Sequence, residues 1–351
     1  IGLRLAQAGL KPLILEKTVP GAEASSAAAG MLAAQAGFHL PAPVVELKAM
    51  GAKGAGSVKE MAGAADVVIT MLPATAIIEQ VYGGSQGIIR TARPGAVLID
   101  MSTSNPTLTR QLAAEAEGRG LAMLDAPVSR GVPAAQAGEL VCLVGGKMEA
   151  LEHCRPVLAA MASDILYLGG YGAGHAAKLV NNLKVMVEMV VIVEALALGV
   201  KGGLRPVDLF KALTLGSANS FYFQYKVPRM LKRDFKPGAS VDIGYKDLSL
   251  ALEWAEDLNV PLSLSLLARE FYRVAQLKGL SKEDTAALIK LPEELLSISL
   301  AADDPAGFEQ VLAELERFYN PELASGGSFT ARTYFRPAAG TKGQPDPCPG
   351  N

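Results

Sequence analysis

Over about its first half the chain alternates short apolar runs with amphipathic stretches, and this alternation constrains its fold more than any other feature. The runs typical of β-strands are Leu13–Leu15, Asp66–Met71, Ala96–Asp100, Ala122–Asp125, Leu140–Val144 and Ile165–Leu168. The stretches typical of helices between them include Ser57–Ala64, Pro106–Gly118 and Lys147–Met161. Strands separated by helices of about ten to fifteen residues form a parallel sheet. The pattern therefore predicts an α/β domain with a doubly wound parallel sheet.

Beyond Gly172 the strand signals stop, and long helical patterns continue to about Leu291. The most apolar of them, from about Ala176 to Val200, is interrupted by charged residues. We therefore expect a buried core helix there and no membrane span. The sequence predicts a dinucleotide-binding domain over residues 1–168 and an all-helical domain over residues 169–292.

The remaining residues, 293–351, form a tail of different composition. One helix is predicted within it, from about Ala306 to Phe318, and Ser, Gly, Pro and Thr dominate the rest. Such a composition buries too little apolar surface to offset the entropy lost on ordering. We expect disorder after about Pro321.

Composition excludes several classes of function. The chain has 351 residues, enough for two domains, and a formal net charge of -2 without a basic face for nucleic acid. Its three cysteines, Cys142, Cys154 and Cys348, contain no CxxC pair, which argues against a disulfide framework or a metal site. No export signal opens the chain at Ile1, so we expect a cytoplasmic protein with neither nucleic acid nor membrane as partner.

The segment GAGHAAKLVNN, Gly172–Asn182, is the strongest candidate for chemistry. It places Lys178 and Asn182 four residues apart near the start of the long helix, so both side chains share one face. A lysine beside an amide suits proton transfer to a bound carbonyl or hydroxyl group. Taken alone, such a lysine more often extends into solvent. His175, three residues earlier, is interpreted as structural.

Further motifs surround this segment. They are DMSTSNP (Asp100–Pro106), DAPVSRGVPAAQAGEL (Asp125–Leu140), VGG (Val144–Gly146), GAGHAAKLVNN and YKDLSLA (Tyr245–Ala251). In this order the motifs resemble those of the β-hydroxyacid dehydrogenases, including 3-hydroxyisobutyrate dehydrogenase-like enzymes and short semialdehyde reductases, over about residues 43–291. The resemblance implies a Rossmann-type domain followed by an all-α domain.

The resemblance also implies a substrate site. Lys178 matches the catalytic lysine of the family and Asn182 the asparagine that orients the substrate. Ser129, with backbone amides around Gly131, matches the site for the substrate carboxylate. Arg130 replaces a glycine common in the family, and it either adds a cation for an acidic substrate or faces solvent.

Cofactor contacts follow from the same resemblance. Leu72 and Pro73 in TMLP, Thr103 in MSTS and Lys246 in the KDL motif match positions that contact NAD or NADP. A dehydrogenase opening would place Glu16 on the adenosine ribose, which slightly favours NAD because a carboxylate there disfavours a 2′-phosphate. Lys246 with its neighbour Asp247 is otherwise interpreted as a surface ion pair of little energetic value.

The start of the chain departs from the family pattern. No Gly-x-Gly-x-x-Gly turn precedes the motifs, so we expect the first strand and the glycine loop to be missing, which would weaken folding and cofactor affinity. Instead, residues 1–36 resemble the N-terminus of a flavin-dependent oxidase of the glycine oxidase type, where Glu16 would hold the ribose of FAD. A fused or rearranged gene explains this segment more simply than a second activity.

The sequence therefore predicts an NAD(P)-dependent oxidoreductase that interconverts a short β-hydroxy acid and its semialdehyde. The alternative is a truncated or fused homologue, catalytically silent, that acts as a cofactor-free oligomeric protein. A decarboxylating 6-phosphogluconate dehydrogenase is disfavoured, since it would carry a histidine at Asn181. By resemblance we expect a homodimer or homotetramer that assembles through the helical domain.

Overall fold

The computed structural model describes residues 13–15 and 53–319. Three of the sequence predictions lie outside these residues: the ribose contact of Glu16, the flavin oxidase resemblance apart from the short strand at 13–15, and the disorder after about Pro321.

The described strands form two sheets. The strands are β1 (Leu13–Leu15), β2 (Lys53–Ala55), β3 (Val67–Thr70), β4 (Val97–Asp100), β5 (Ala122–Asp125), β6 (Val128–Ser129), β7 (Leu140–Gly146) and β8 (Ala162–Gly169). β1 and β2 pair in parallel as a separate sheet. The larger sheet has the order β3-β4-β5-β7-β6, and β8 also pairs with β7.

The predicted fold class is confirmed, and all the predicted strands are present, but the larger sheet is not parallel throughout. β3, β4 and β5 are parallel neighbours, whereas β7 runs antiparallel to both β5 and β6. Only the short helix Gly131–Ala137 connects β6 to β7, and a parallel crossover needs a dozen or more residues. The chain therefore turns back at this point, which the strand pattern alone did not predict.

Helices cover both faces of this sheet. They are α1 (Val58–Ala64), α2 (Thr75–Gly83), α3 (Ile88–Thr91), α4 (Pro106–Glu117), α5 (Gly131–Ala137) and α6 (Met148–Ala159). Adjacent strand residues face opposite clusters of buried side chains, with Leu98 and Met123 in one and Ile99 and Leu124 in the other. This alternation, of period two, gives the sheet two apolar faces and requires helices on each.

The rest of the described chain is helical. It contains α7 (Ala173–Lys201), α8 (Pro206–Leu215), α9 (Phe221–Leu231), α10 (Val241–Asp257), α11 (Ser263–Leu277), a 3₁₀ helix (Thr285–Ile289), α12 (Lys290–Leu296) and α13 (Pro305–Tyr319). The ring of Phe210 packs against Phe223 and Phe308, each with centroids 5.7 Å apart. α13 is therefore part of the helical core. Among the described helices, none is long and apolar enough to cross a membrane.

Two hydrogen bonds join the sheet half to the helical half beside α4. Asn105 Nδ2 donates to Glu253 Oε1 at 3.2 Å, and Thr107 Oγ1 donates to Asp257 Oδ2 at 3.1 Å. Both acceptors lie near the C-terminal end of α10, the helix that carries Lys246 closer to its start. These bonds therefore hold α10 in a fixed relation to the sheet.

Candidate active site

The loops after β3 and β4 lie side by side, at the carboxyl ends of two adjacent parallel strands. Leu72 N donates to Ser102 Oγ at 2.7 Å, and Ser102 Oγ donates to Asp100 Oδ1 at 2.5 Å. These bonds hold the two loops together, and with them Pro73 and Thr103, which follow Leu72 and Ser102 in the sequence. In open α/β sheets, ligands bind in the crevice beyond the carboxyl ends of the strands.

Two hydroxyl groups, one at the start of α2 and one in the loop after β4, have no hydrogen-bond partner among the described residues. Thr75 Oγ1 and Ser104 Oγ are shielded from solvent, yet neither forms a hydrogen bond with a residue that the structure describes. A buried polar atom left unsatisfied costs about 1–3 kcal/mol. Both atoms therefore suit a polar ligand that lies between the loops.

Lys178 lies in the second turn of α7 and is half-buried. Its Nζ forms no hydrogen bond or ion pair with any of the described residues. Burial lowers the pKa of Lys178, Asp247 opposes this effect and Lys246 adds to it. An unpaired lysine with a lowered pKa is able to accept or donate a proton closer to neutral pH than an exposed lysine.

Asn182, one turn further along α7, is held by a buried carboxylate. Its Nδ2 donates to Asp247 Oδ2 at 2.6 Å, and Asn181 Nδ2 donates to its Oδ1 at 3.0 Å. Asp247 is 2% exposed, and Lys246 Nζ lies 2.9 Å from its other oxygen. An ionised carboxylate only accepts hydrogen bonds, so Asp247 fixes which end of the Asn182 amide is the donor.

Ser129 ends β6, and the turn after it leads into α5. Arg130 has φ 81° and Gly131 has φ 72°, so two consecutive residues are in the left-handed region. Arg130 Nη1 donates to Asp164 Oδ2 at 3.1 Å, to Ser163 Oγ at 3.1 Å and to a backbone carbonyl. The guanidinium is therefore anchored to β8 at one nitrogen, rather than facing solvent without partners.

The predicted site residues that the structure describes, which exclude Glu16, therefore belong to three groups around one end of the sheet. Lys178, Asn182 and Lys246 meet around Asp247, while the other groups are the two loops after β3 and β4 and the turn at Ser129. The alternative interpretation of Lys246 and Asp247 as a surface ion pair does not fit the burial of the carboxylate, whereas the predicted cofactor contact of Lys246 stays a prediction. A signal was present, because Asp247 falls on the same helical stripe as the buried residues Gly244 and Leu248.

A doubly wound sheet followed by a helical domain is the architecture of two-domain dinucleotide-dependent dehydrogenases. Residues 36–169 match the family model for the NAD binding domain of 6-phosphogluconate dehydrogenase. Residues 172–292 match the model for the NAD-binding region of NADP-dependent 3-hydroxyisobutyrate dehydrogenase. The chain belongs to the β-hydroxyacid dehydrogenase family.

Individual relatives agree with this assignment. The chain is 35% identical over 263 residues to 2-(hydroxymethyl)glutarate dehydrogenase of Eubacterium barkeri, covering 75% of this chain and 87% of that protein. It is 37% identical over 252 residues to the NAD-dependent L-serine dehydrogenase of Pseudomonas aeruginosa, covering 70% and 85%. The solved structure of Mycobacterium tuberculosis 3-hydroxyisobutyrate dehydrogenase with L-serine aligns with a TM-score of 0.66 and 33% identity, over 80% of this chain and 99% of that one. These matches do not support the flavin oxidase resemblance of residues 1–36, which stays a prediction.

Proposed function

We propose that this chain is an NAD(P)-dependent oxidoreductase that interconverts a short β-hydroxy acid and its semialdehyde, with Lys178 as the acid and base. The observation that carries the proposal is the half-buried Lys178, unpaired within the described part of the chain, beside an asparagine whose amide is fixed by Asp247. Membership of the family supports the reaction class, and the relatives named above act on hydroxy acids.

Proton transfer is the task of Lys178. In the oxidation direction its neutral amine accepts the proton of the substrate hydroxyl, and in the reduction direction its ammonium donates the proton back. Asn182 donates one amide hydrogen to Asp247, and its other amide hydrogen is available to the substrate oxygen. The hydride chemistry is supplied by the nicotinamide of a bound cofactor.

The two loops after β3 and β4 fit such a cofactor. Leu72, Pro73 and Thr103 lie on them, and the unsatisfied hydroxyls of Thr75 and Ser104 offer polar contacts in the same place. Lys246 adds a positive charge from α10. The choice between NAD and NADP depends on the ribose contact that we assign to Glu16, which slightly favours NAD.

We assign the substrate carboxylate to Ser129 and the backbone around Gly131. To the residues that the structure describes, Arg130 is bonded through Nη1 alone, so Nε and Nη2 keep donors for an acidic substrate. A dicarboxylic hydroxy acid therefore gains more from Arg130 than a monocarboxylic one.

An apolar surface on the helical half supports an oligomer. Val180, Val191 and Leu198 of α7 are 57–77% exposed, and Leu267 and Leu277 of α11 are 68% and 81% exposed. Val180, Val191 and Leu198 recur at intervals of 11 and 7 residues, so they share one face of α7. An exposed apolar face commonly marks a protein interface. We propose a homodimer or homotetramer through these helices, and light scattering that returned only monomer would contradict it.

Activity is tested by following reduced-cofactor absorbance with NAD or NADP and a panel of 3-hydroxyisobutyrate, L-serine, glycerate and 4-hydroxybutyrate. We expect turnover with at least one pair and its loss in Lys178→Ala. Lys184→Ala is the matched control, because Lys184 lies on the same helix and pairs with Glu188. No turnover, even in a variant extended at its N-terminus by a strand and a glycine turn, would favour the silent homologue.

A further inference from the structure

The N-terminus of α7, the helix that carries Lys178, is capped from a distant strand. Gly172 is the N-cap residue, with φ 83°, and no local side chain caps the helix. Instead, Gly172 N donates to Asp125 Oδ1 and His175 N donates to Asp125 Oδ2, both at 2.9 Å. Asp125 ends β5 and is 0% exposed. One buried carboxylate therefore satisfies two of the first amides of a 29-residue helix.

The fit between this carboxylate and the helix is tight. A Cβ at Gly174 would lie 2.2 Å from Leu143 O and 2.7 Å from Asp125 O, and a Cβ at Gly145 would lie 2.7 Å from Asp125 Oδ1. Real Cβ atoms do not approach so closely, so both positions require glycine. The start of α7 therefore has little room to slide over β5 and β7.

The side chain of His175 adds a second attachment in the same turn. Its Nδ1 lies 2.6 Å from Thr109 Oγ1 in a buried hydrogen bond, and its Nε2 lies 3.8 Å from Asp100 Oδ2. His175 Nε2 itself forms no hydrogen bond with a residue that the structure describes. The first turn of α7 is thus attached to the end of β5 through Asp125 and to α4 through Thr109.

We propose that Asp125 is a positioning residue that holds Lys178 at the reaction site by fixing the N-terminus of α7. The proposal rests on the proposed function for the role of Lys178, but the contacts themselves do not depend on it. Lys178 is three residues from His175, so a shift of the first turn moves its Nζ directly. Its lowered pKa is caused by burial, and a displaced lysine gains water and loses that shift.

Asp125 is suited to this task by both geometry and charge. Its two oxygens accept one amide each, and a negative group is favourable at a helix N-terminus. Asparagine has nearly the same shape but only one acceptor oxygen, so Asp125→Asn leaves at least one amide facing an NH₂ group. The variant therefore weakens the attachment while the packing around it stays filled.

Two readouts test the proposal without requiring turnover. Amide hydrogen exchange reports the attachment, and we expect Asp125→Asn to speed exchange at Gly172 and His175 by about tenfold. Reductive methylation of Lys178 across pH, read by peptide mass spectrometry, reports its titration, which we expect to move to higher pH in the variant. The matched control is Ser57→Ala, which removes the N-cap hydrogen bond of α1 from Glu60 N to Ser57 Oγ. This variant should change neither the exchange rates at Gly172 and His175 nor the titration of Lys178.

The outcomes separate this proposal from the proposed function. In Asp125→Asn, unchanged exchange at the first turn and unchanged titration of Lys178 would overturn the positioning role, whatever the activity. If the variant does not fold, hydrogen exchange of the unaltered protein provides the test. Unprotected amides at Gly172 and His175 in that protein would also overturn the positioning role. Where turnover is measurable, we expect kcat to fall more than the KM for the cofactor rises, and the pH profile of kcat to move with the Lys178 titration.

Discussion

Among the residues that the structure describes, Lys226 is buried and Lys178 is half-buried, and these two lysines differ in what surrounds the ammonium. Burial lowers the pKa of both Lys226 and Lys178. Lys226 Nζ donates to Asp284 Oδ1 at 2.6 Å and lies 5.4 Å from the centroid of the Tyr225 ring. Lys178 has no such partner in the described part of the chain, where the nearby Asp247 is bonded to Asn182 and paired with Lys246.

The difference teaches how one residue type serves two purposes. Asp284 accepts from Lys226, Arg229 and three backbone amides, so the charges of this cluster are satisfied and hold α9 to the 3₁₀ helix. At Lys178 no carboxylate or carbonyl among the described residues bonds the ammonium, so burial lowers its pKa, which costs stability but keeps a proton available. The paired lysine is therefore structural, and the unpaired lysine is the candidate for chemistry.

The largest effects are expected when Lys178 and Lys226 are each replaced by methionine. We expect Lys178→Met to lower kcat/KM by about a thousandfold, because general acid and base catalysis contributes about 10²–10⁴. The same change should not lower the melting temperature, since Lys178 has no partner to lose. Burial makes the pKa of Lys178 lower in the folded state than in the unfolded chain, so at pH values between these two pKa values the unfolded chain binds more protons. The native lysine therefore costs stability at neutral pH.

Lys226→Met should show the opposite behaviour. Removal of one member of a buried ion pair costs about 3–5 kcal/mol, and Arg229 still bonds Asp284, so we expect a loss of about 3 kcal/mol in the free energy of unfolding. Urea unfolding measures this loss, and the activity per folded molecule should be retained. A large loss of kcat in Lys226→Met at full folding would break the comparison.

Asp247→Asn should have an intermediate effect. The amide of Asn182 loses its charged acceptor, and a misplaced substrate group costs up to about 10²-fold, so we expect kcat to fall by about 10–100-fold. Asp242→Asn is the control, because Asp242 lies on the same helix and pairs with Lys282 and Gln276 instead. Equal losses of kcat in the two variants would assign the effect to α10 as a whole.

The sequence predicted the strands and the helix of Lys178 but not the carboxylates that hold the site, and the reason is physical. Strands such as Val97–Asp100 and the α7 segment around Lys178 carry local periodicity, which is visible in a single sequence. The contact of Asp125 with His175 spans 50 residues and the bond of Asn182 to Asp247 spans 65, and neither has a local signature. The fold and the catalytic candidates were therefore predictable, whereas the carboxylates that hold them required the structure.

The smallest effect, and the sharpest test of the charge balance around Lys178, comes from Lys246. Lys246 lowers the pKa of Lys178 by repulsion and Asp247 raises it by attraction. Lys246→Met should therefore move the Lys178 titration to higher pH, and Asp247→Asn should move it to lower pH. For oxidation, which needs the neutral amine, the rise of kcat with pH should shift in the same directions. Shifts of the same sign in both variants would mean that altered burial, not charge, sets the titration of Lys178.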